Sequence, residues 1–248
     1  MRLESKVAIV TGAARGFGRA FCLRLAQEGA KVVAADILDA SDTVAEIEAK
    51  GGTGLALKVD VTSEEDTLRM VEETVKRFGR VDILINNAAT LYGIKLMPFY
   101  EIKPEEWDRA MAVNVKGQWL CARAVFPQMK QQGKGKIINM GSTSFIGAGG
   151  PFAHYVTSKA AVVGLTRALA RELGDYGINV NTLAPGFTMT EAGHLLKTQG
   201  AGSRAGSRCF KRDEQPDDVL GAMVFLCSEE SDFVTGQTMI VDGGGSFL

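Results

Sequence analysis

Tyr155 and Lys159 stand four residues apart, and Ser142 precedes Tyr155 by 13 residues. A phenol titrates at about 10 when unperturbed, so it is a poor base at neutral pH. An ammonium one helical turn along lies on the same face and can stabilise the phenolate. A pair of this kind can exchange a proton with an alcohol or a carbonyl. Of the four tyrosines (Tyr92, Tyr100, Tyr155 and Tyr176), only Tyr155 has a lysine four positions on. His154 adjoins it, but one residue along a helix turns a side chain by about 100°. A helix-surface or packing role is therefore expected for His154.

Short apolar runs alternate with longer amphipathic stretches along the whole chain. Strands are expected over 7–10, 31–35, 54–59, 81–85, 136–140, 179–183 and 239–241, and helices over 16–28, 41–50, 64–77, 104–131, 152–176 and 216–227. Runs rich in Val, Ile and Ala without polar alternation indicate a sheet covered on both faces. The pattern predicts an α/β fold: one doubly wound, mostly parallel, seven-stranded sheet with right-handed crossovers. Ligands in such sheets bind at the carboxyl ends of the strands, where the strand order switches. In the segment 188–215, Gly200, Gly202, Ser203, Gly206 and Ser207 break the helical pattern. It reads as a long flexible lid over that end.

Each remaining motif falls just past a strand end. Thr11-Gly12-Ala13-Ala14-Arg15-Gly16-Phe17-Gly18 opens a helix after the first strand. Its glycines permit a tight turn and let backbone N–H groups reach a pyrophosphate at the helix N-terminus. The spacing G-x-x-x-G-x-G differs from the G-x-G-x-x-G fingerprint. Asp36-Ile37 ends the second strand, 18 residues beyond Gly18. A carboxylate there accepts both adenosine ribose hydroxyls and repels a 2′-phosphate, which favours NAD over NADP. Arg15 pulls the other way, as an arginine in the glycine loop could reach that phosphate. The fixed carboxylate is expected to win. Asp60-Val61 closes the third strand and could hold an adenine ring. Asn86-Asn87-Ala88-Ala89 closes the fourth, with small alanines leaving room for a ribose.

These motifs together resemble the short-chain dehydrogenase/reductase family, in its compact form of about this length. The resemblance covers essentially the whole chain. It rests on Thr11-Gly12-x-x-x-Gly16-x-Gly18, Asn86-Asn87-Ala88, Asn114, Ser142, Tyr155-x-x-x-Lys159 and Pro185-Gly186, in family order and spacing. The resemblance implies a single Rossmann-type domain over 1–248, with Tyr155 as acid/base and Lys159 as the ribose-holding group that modulates its pKa. It further implies Ser142 as donor to the substrate oxygen and Asn114 as anchor of a proton-relay water. Pro185-Gly186, the backbone of Thr188 and the side chain of Thr190 would grip the nicotinamide. Phe17 and Thr188 depart mildly from the family, which more often has aliphatic residues there. The implied activity is reversible hydride transfer between NAD(H) and a secondary alcohol or ketone, on a small cyclic, aromatic or polyol substrate. A 3-oxoacyl thioester reductase is the alternative, and a non-catalytic dinucleotide sensor a third reading. The resemblance also implies a homotetramer, with the helices over 104–131 and 152–176 in one interface.

Thr90, Leu91, Tyr92, Ser144, Phe145, Phe152 and Phe187 follow the site motifs and could line a substrate pocket; His194 in the lid could reach it. Lys197, Arg204, Arg208, Lys211 and Arg212 could recognise a substrate anion, though solvated loop charge is the expected reading. The net charge of −1 gives no electrostatic footprint for nucleic acid or an anionic membrane surface. No apolar run approaches a signal peptide's apolar region or a membrane span, so a cytoplasmic protein is expected. Cys22, Cys121, Cys209 and Cys227 are scattered without a C-x-x-C pair. No metal site is expected, and buried free thiols are the favoured reading.

Overall fold

Every residue of the first strand, β1 (Val7–Thr11), is buried, because alternate side chains feed two different cores. Ala8 and Val10 join Phe21, Leu25 and Met223 on one face, while Ile9 joins Met70, Leu84, Val125 and Met129 on the other. A strand apolar on both faces belongs inside a parallel sheet with helices on either side. The computed structural model describes residues 1–147, 150–201 and 203–247, so Gly202 lies outside the described residues.

The chain continues through α1 (Gly16–Gln27), β2 (Lys31–Asp36), α2 (Ser41–Ala49), β3 (Thr53–Lys58), α3 (Glu64–Phe78) and β4 (Ile83–Asn86). Then follow α4 (Pro104–Met111), a π-helical turn at Ala112–Lys116, α5 (Gly117–Gln132), β5 (Gly135–Met140), α6 (Ser144–Gly147) and α7 (Ala153–Leu173). The last elements are β6 (Ile178–Pro185), α8 (Glu191–Thr198), α9 (Asp217–Cys227) and β7 (Thr238–Val241). The seven strands form one sheet in the order β3-β2-β1-β4-β5-β6-β7. Every described pairing is parallel. This is the doubly wound Rossmann-type fold expected from the sequence. The order reverses between β1 and β4, so the crevice opens at their carboxyl ends.

Local chemistry sets the element ends. Helix α3 begins at Ser63, whose hydroxyl accepts from the Asp66 N–H at 3.2 Å, and ends at Gly79 with φ of 81°. Its first turn carries Glu64, Glu65 and Asp66 and its last Lys76 and Arg77, the charge order a helix dipole favours.

Three expectations need correction. The helix expected over 104–131 is two helices joined by the π-helical turn that holds Asn114. Within 188–215, expected to be a flexible lid with a broken helical pattern, the chain forms α8 and a 3₁₀ turn at Ala205–Ser207. Among the cysteines, Cys22, Cys121 and Cys227 are buried but Cys209 is exposed. Among the described residues, no helix is long and apolar enough to cross a membrane.

Candidate active site

A cleft of about 690 Å³ runs across the carboxyl ends of the strands, from Asp36 and Ile37 at one end to Leu196 and Arg204 at the other. Its floor is the glycine loop. Gly12 and Gly16 have φ of 66° and 56°, in the left-handed region that favours glycine. A Cβ on Gly12 would stand 2.8 Å from the Ala88 Cα, and one on Gly18 would collide with the Gly12 carbonyl oxygen. Gly18 thus packs the loop against the helix behind the cleft wall. Arg15, Gly16 and Phe17 line the cleft. No side chain caps α1, so its first-turn N–H groups lack a side-chain acceptor. An uncapped N-terminus on a glycine loop suits a pyrophosphate.

The two central strands are tied together above this floor. The Asn87 amide donates to the Thr11 and Gly12 carbonyl oxygens at 2.9 and 3.0 Å. The Thr11 hydroxyl accepts from the Asn87 and Ala88 N–H groups at 3.0 and 3.1 Å. Ala88 and Ala89 line the cleft beside them.

At the β2 end, Asp36 is 8% exposed yet lines the cleft. Its Oδ2 accepts from the Ala14 N–H and its Oδ1 from the Leu38 N–H, each at 2.9 Å. Arg15 lines the same cleft, and its guanidinium lies 3.4 Å from the Tyr92 ring centroid. Asp60 and Val61 also line the cleft. One Asp60 oxygen already accepts from the Thr62 N–H and hydroxyl.

At the other end, Tyr155 and Lys159 lie on α7 and Ser142 just past β5, all three lining the cleft. The Ser142 hydroxyl accepts from the Ser144 N–H at 3.2 Å and is close enough to Tyr155 to lower its pKa. The expected acidification of Tyr155 by Lys159 is not what the protein's own groups produce. The Lys159 ammonium sits 5.7 Å from the Tyr155 ring centroid and donates to the Met140 carbonyl at 2.7 Å. Burial pushes Tyr155 up to about 12, against a smaller lowering by Ser142. Burial also pulls Lys159 down to about 8. Desolvation disfavours the charged form of each, which explains both directions.

Asn114 does not line the cleft. It is fully buried in the π-helical turn, where its Oδ1 accepts from the Thr90 N–H at 2.8 Å and its Nδ2 donates to the Ser158 hydroxyl at 2.9 Å. It therefore joins the loop after β4 to α7.

Pro185, Gly186, Thr188 and Thr190 line the cleft past β6. Thr190 also caps α8, accepting from the Gly193 N–H at 3.2 Å. Beneath them is a buried ion pair that sequence spacing did not reveal. Arg208 and Glu214, 3% and 4% exposed in their side chains, meet at 3.2 Å. The Thr188 hydroxyl donates to Glu214 at 2.8 Å, and Arg208 donates to the Phe187 carbonyl at 2.8 Å. Burial pushes Glu214 up to about 7, outweighing the lowering by Thr188 and Arg208. Lys197 pairs with Asp213 within the segment and Arg212 with Asp218 on α9, so two of its basic groups already meet carboxylates.

Thr90, Leu91, Tyr92, Ser144, Phe152 and Phe187 line the cleft as expected, whereas Phe145 does not. His194 is exposed and is not in the wall. His154 is 4% exposed, in line with the packing alternative, and it also forms part of the wall.

Residues 12–246 match the family described as enoyl-(acyl carrier protein) reductase. The 3-oxoacyl-[acyl-carrier-protein] reductase FabG of Staphylococcus epidermidis is 40% identical over 245 residues, covering 97% of this chain and 98% of that one. The chain belongs to the short-chain dehydrogenase/reductase family. Another such relative, the (2S)-[(R)-hydroxy(phenyl)methyl]succinyl-CoA dehydrogenase subunit BbsD of Thauera aromatica, is 38% identical over 100% of this chain and 99% of its own. A solved short-chain reductase, 3-ketoacyl-(acyl-carrier-protein) reductase from Brucella melitensis complexed with NADH, superposes with a TM-score of 0.89. It is 36% identical and covers 99% of this chain and 100% of that one. As a short-chain dehydrogenase/reductase, the protein is an oxidoreductase on a nicotinamide-dinucleotide-binding fold.

Proposed function

We propose that the protein interconverts a secondary alcohol and a ketone with NAD(H), on a small cyclic, aromatic or polyol substrate. The observation that carries this reading is the convergence of Ser142, Tyr155 and Lys159, the last one turn along from Tyr155, in the same cleft as Asp36. The cleft fits a dinucleotide, with the uncapped α1 N-terminus placed for phosphate and the Asp36 carboxylate placed for a ribose. The Asp36 carboxylate, fixed by the Ala14 and Leu38 N–H groups in the cleft lining, supports NAD over NADP.

A bound oxidised nicotinamide would supply the hydride acceptor and a positive charge beside Tyr155. The chain's own part is proton transfer and orientation. Ser142 holds the substrate oxygen, and Tyr155 Oη takes its proton in oxidation or returns one in reduction. With a value of about 12 the phenol is protonated at neutral pH, so the protein alone is set to act as the acid in ketone reduction. Lys159, fixed by Met140, keeps its ammonium on the same face of α7. Asn114 positions that helix through Ser158. We assign Gly12, Arg15, Gly16, Phe17, Gly18, Asp36, Ile37, Asp60, Val61, Asn87, Ala88, Ala89, Pro185, Gly186, Thr188 and Thr190 to cofactor binding, and a homotetramer to the working assembly.

The names of the relatives favour a second reading, reduction of a 3-oxoacyl thioester. Nicotinamide absorbance during turnover separates the two. Cyclic and aromatic secondary alcohols with NAD should be oxidised faster than a 3-hydroxyacyl thioester. Turnover of the thioester alone, or with NADP alone, overturns the first reading. Tight NADH binding without turnover of any alcohol or ketone points to a sensor.

A further inference from the structure

Arg208 and Glu214 each hold one of two consecutive residues in the loop past β6. Arg208 Nη2 donates to the Phe187 carbonyl at 2.8 Å and to Glu214 Oε2 at 3.2 Å. Glu214 Oε1 accepts from the Thr188 hydroxyl at 2.8 Å. The Glu214 backbone adds a further hold: its carbonyl accepts from the Met189 N–H at 2.8 Å, beside a parallel bridge to Thr188. The pair also lies close against the loop backbone. A Cβ on Gly186 would stand 2.6 Å from Glu214 Oε2 and 2.9 Å from Arg208 Nη2. Gly186 has no left-handed φ, so this close approach, not backbone conformation, favours glycine there. Stability alone does not account for such a pair. Taking both charges out of water is costly, and apolar residues of similar volume often serve a fold equally well or better.

We propose that Arg208 and Glu214 are positioning residues for the nicotinamide half of the dinucleotide, setting the spacing and orientation of Phe187 and Thr188 in the loop that grips it. The proposal rests on the cofactor assignment of Pro185, Gly186, Thr188 and Thr190, and adds two residues outside that assignment. A guanidinium is a planar fork, so one side chain joins the Phe187 carbonyl to the carboxylate that holds Thr188. The Thr188 hydroxyl is engaged by Glu214, which agrees with the assignment of its backbone to the nicotinamide. The adenosine half is remote from the pair. Asp36 ends β2, and β1, β4 and β5 separate that strand from β6 in the sheet. Loss of the pair should therefore be felt by the nicotinamide and not by the ADP-ribose portion.

NADH and ADP-ribose differ by the dihydronicotinamide, so calorimetric titration with each isolates that half. One variant is Glu214→Gln, which removes the charge but keeps an acceptor for Thr188. The other combines Arg208→Met with Glu214→Leu and removes the pair altogether. Titrations at about pH 8 keep Glu214 ionised in the wild type. The double variant should lose NADH affinity about ten-fold or more and keep ADP-ribose affinity within about two-fold. It should unfold near the wild-type temperature, because apolar side chains replace both charges. Glu214→Gln should lose NADH affinity by a smaller factor, about three-fold, again without a matching loss for ADP-ribose. Equal losses for the two ligands, or NADH affinities unchanged within about two-fold, overturn the proposal. If thermal unfolding shows that the double variant does not fold, the same comparison in Glu214→Gln decides. If the wild type binds neither ligand, the dinucleotide reading itself fails and takes the positioning role with it.

Discussion

The Lys159 ammonium and the Met140 carbonyl oxygen lie 2.7 Å apart, fastening α7 to the end of β5 in the cleft that Ser142 and Tyr155 line. The lysine is thereby fixed in place although burial opposes its charge. Tyr155 is the group whose proton, we propose, moves. Tyr155→Phe should keep NADH affinity within a few-fold of wild type and reduce kcat by about two to four orders of magnitude. Fluorescence titration and steady-state kinetics on the same preparation check both halves. Near-normal turnover would remove Tyr155 from the proton path.

Asp36 faces the cleft while holding the Ala14 and Leu38 N–H groups. In Asp36→Ala, the ratio of kcat/KM for NADP over NAD should rise about ten-fold or more, as the repulsion of a 2′-phosphate disappears. Urea denaturation of the same variant should show a loss of about 1–3 kcal/mol from the two unpaired N–H groups. An unchanged ratio means that the carboxylate does not select the nucleotide.

Asn114 stabilises two elements from a position that no cofactor or substrate need touch. Asn114→Ala leaves the Thr90 N–H and the Ser158 hydroxyl without it. A loss of about 2 kcal/mol or more in chemical denaturation is expected, together with a fall in kcat exceeding the rise in KM. A variant as stable as the wild type would show that the π-helical turn stands without its hydrogen bonds.

Glu214 gives a pH signature. Its folded value, about 7, lies above the ordinary 4.5, so the folded chain holds the extra proton between the two. The associated stability is complete below about 4.5 and is lost as the pH rises through about 7. Glu214→Gln does not titrate. Between about pH 5 and pH 8 the wild type should therefore lose stability relative to this variant, read as the difference in urea midpoints. A difference that stays flat or grows in favour of the wild type contradicts the shift.

The sheet was legible because its strands are apolar on both faces. Ile9 and Val10, adjacent in sequence, enter opposite cores, and no polar alternation obscures such a run. The site motifs were legible because each follows a strand end. Interactions between distant residues were not. Asn114 and Ser158 are 44 positions apart, and nothing in 104–131 marks the turn where the helix changes pitch. Arg208 and Glu214 read as loop charges until folding removes both from water. Spacing placed Lys159 on the Tyr155 face, but desolvation, which decides the sign of the phenol's shift, depends on the packed surroundings. His154 escaped for a related reason: a turn of 100° points away from Tyr155, yet the cleft is wide enough to include that direction too.

The carboxylate we assign to nucleotide choice is also a fastener of the glycine loop, through the Ala14 amide. If the proposed preference holds, one side chain serves both nucleotide choice and scaffold integrity, and exchanging it to admit a 2′-phosphate would also free that amide.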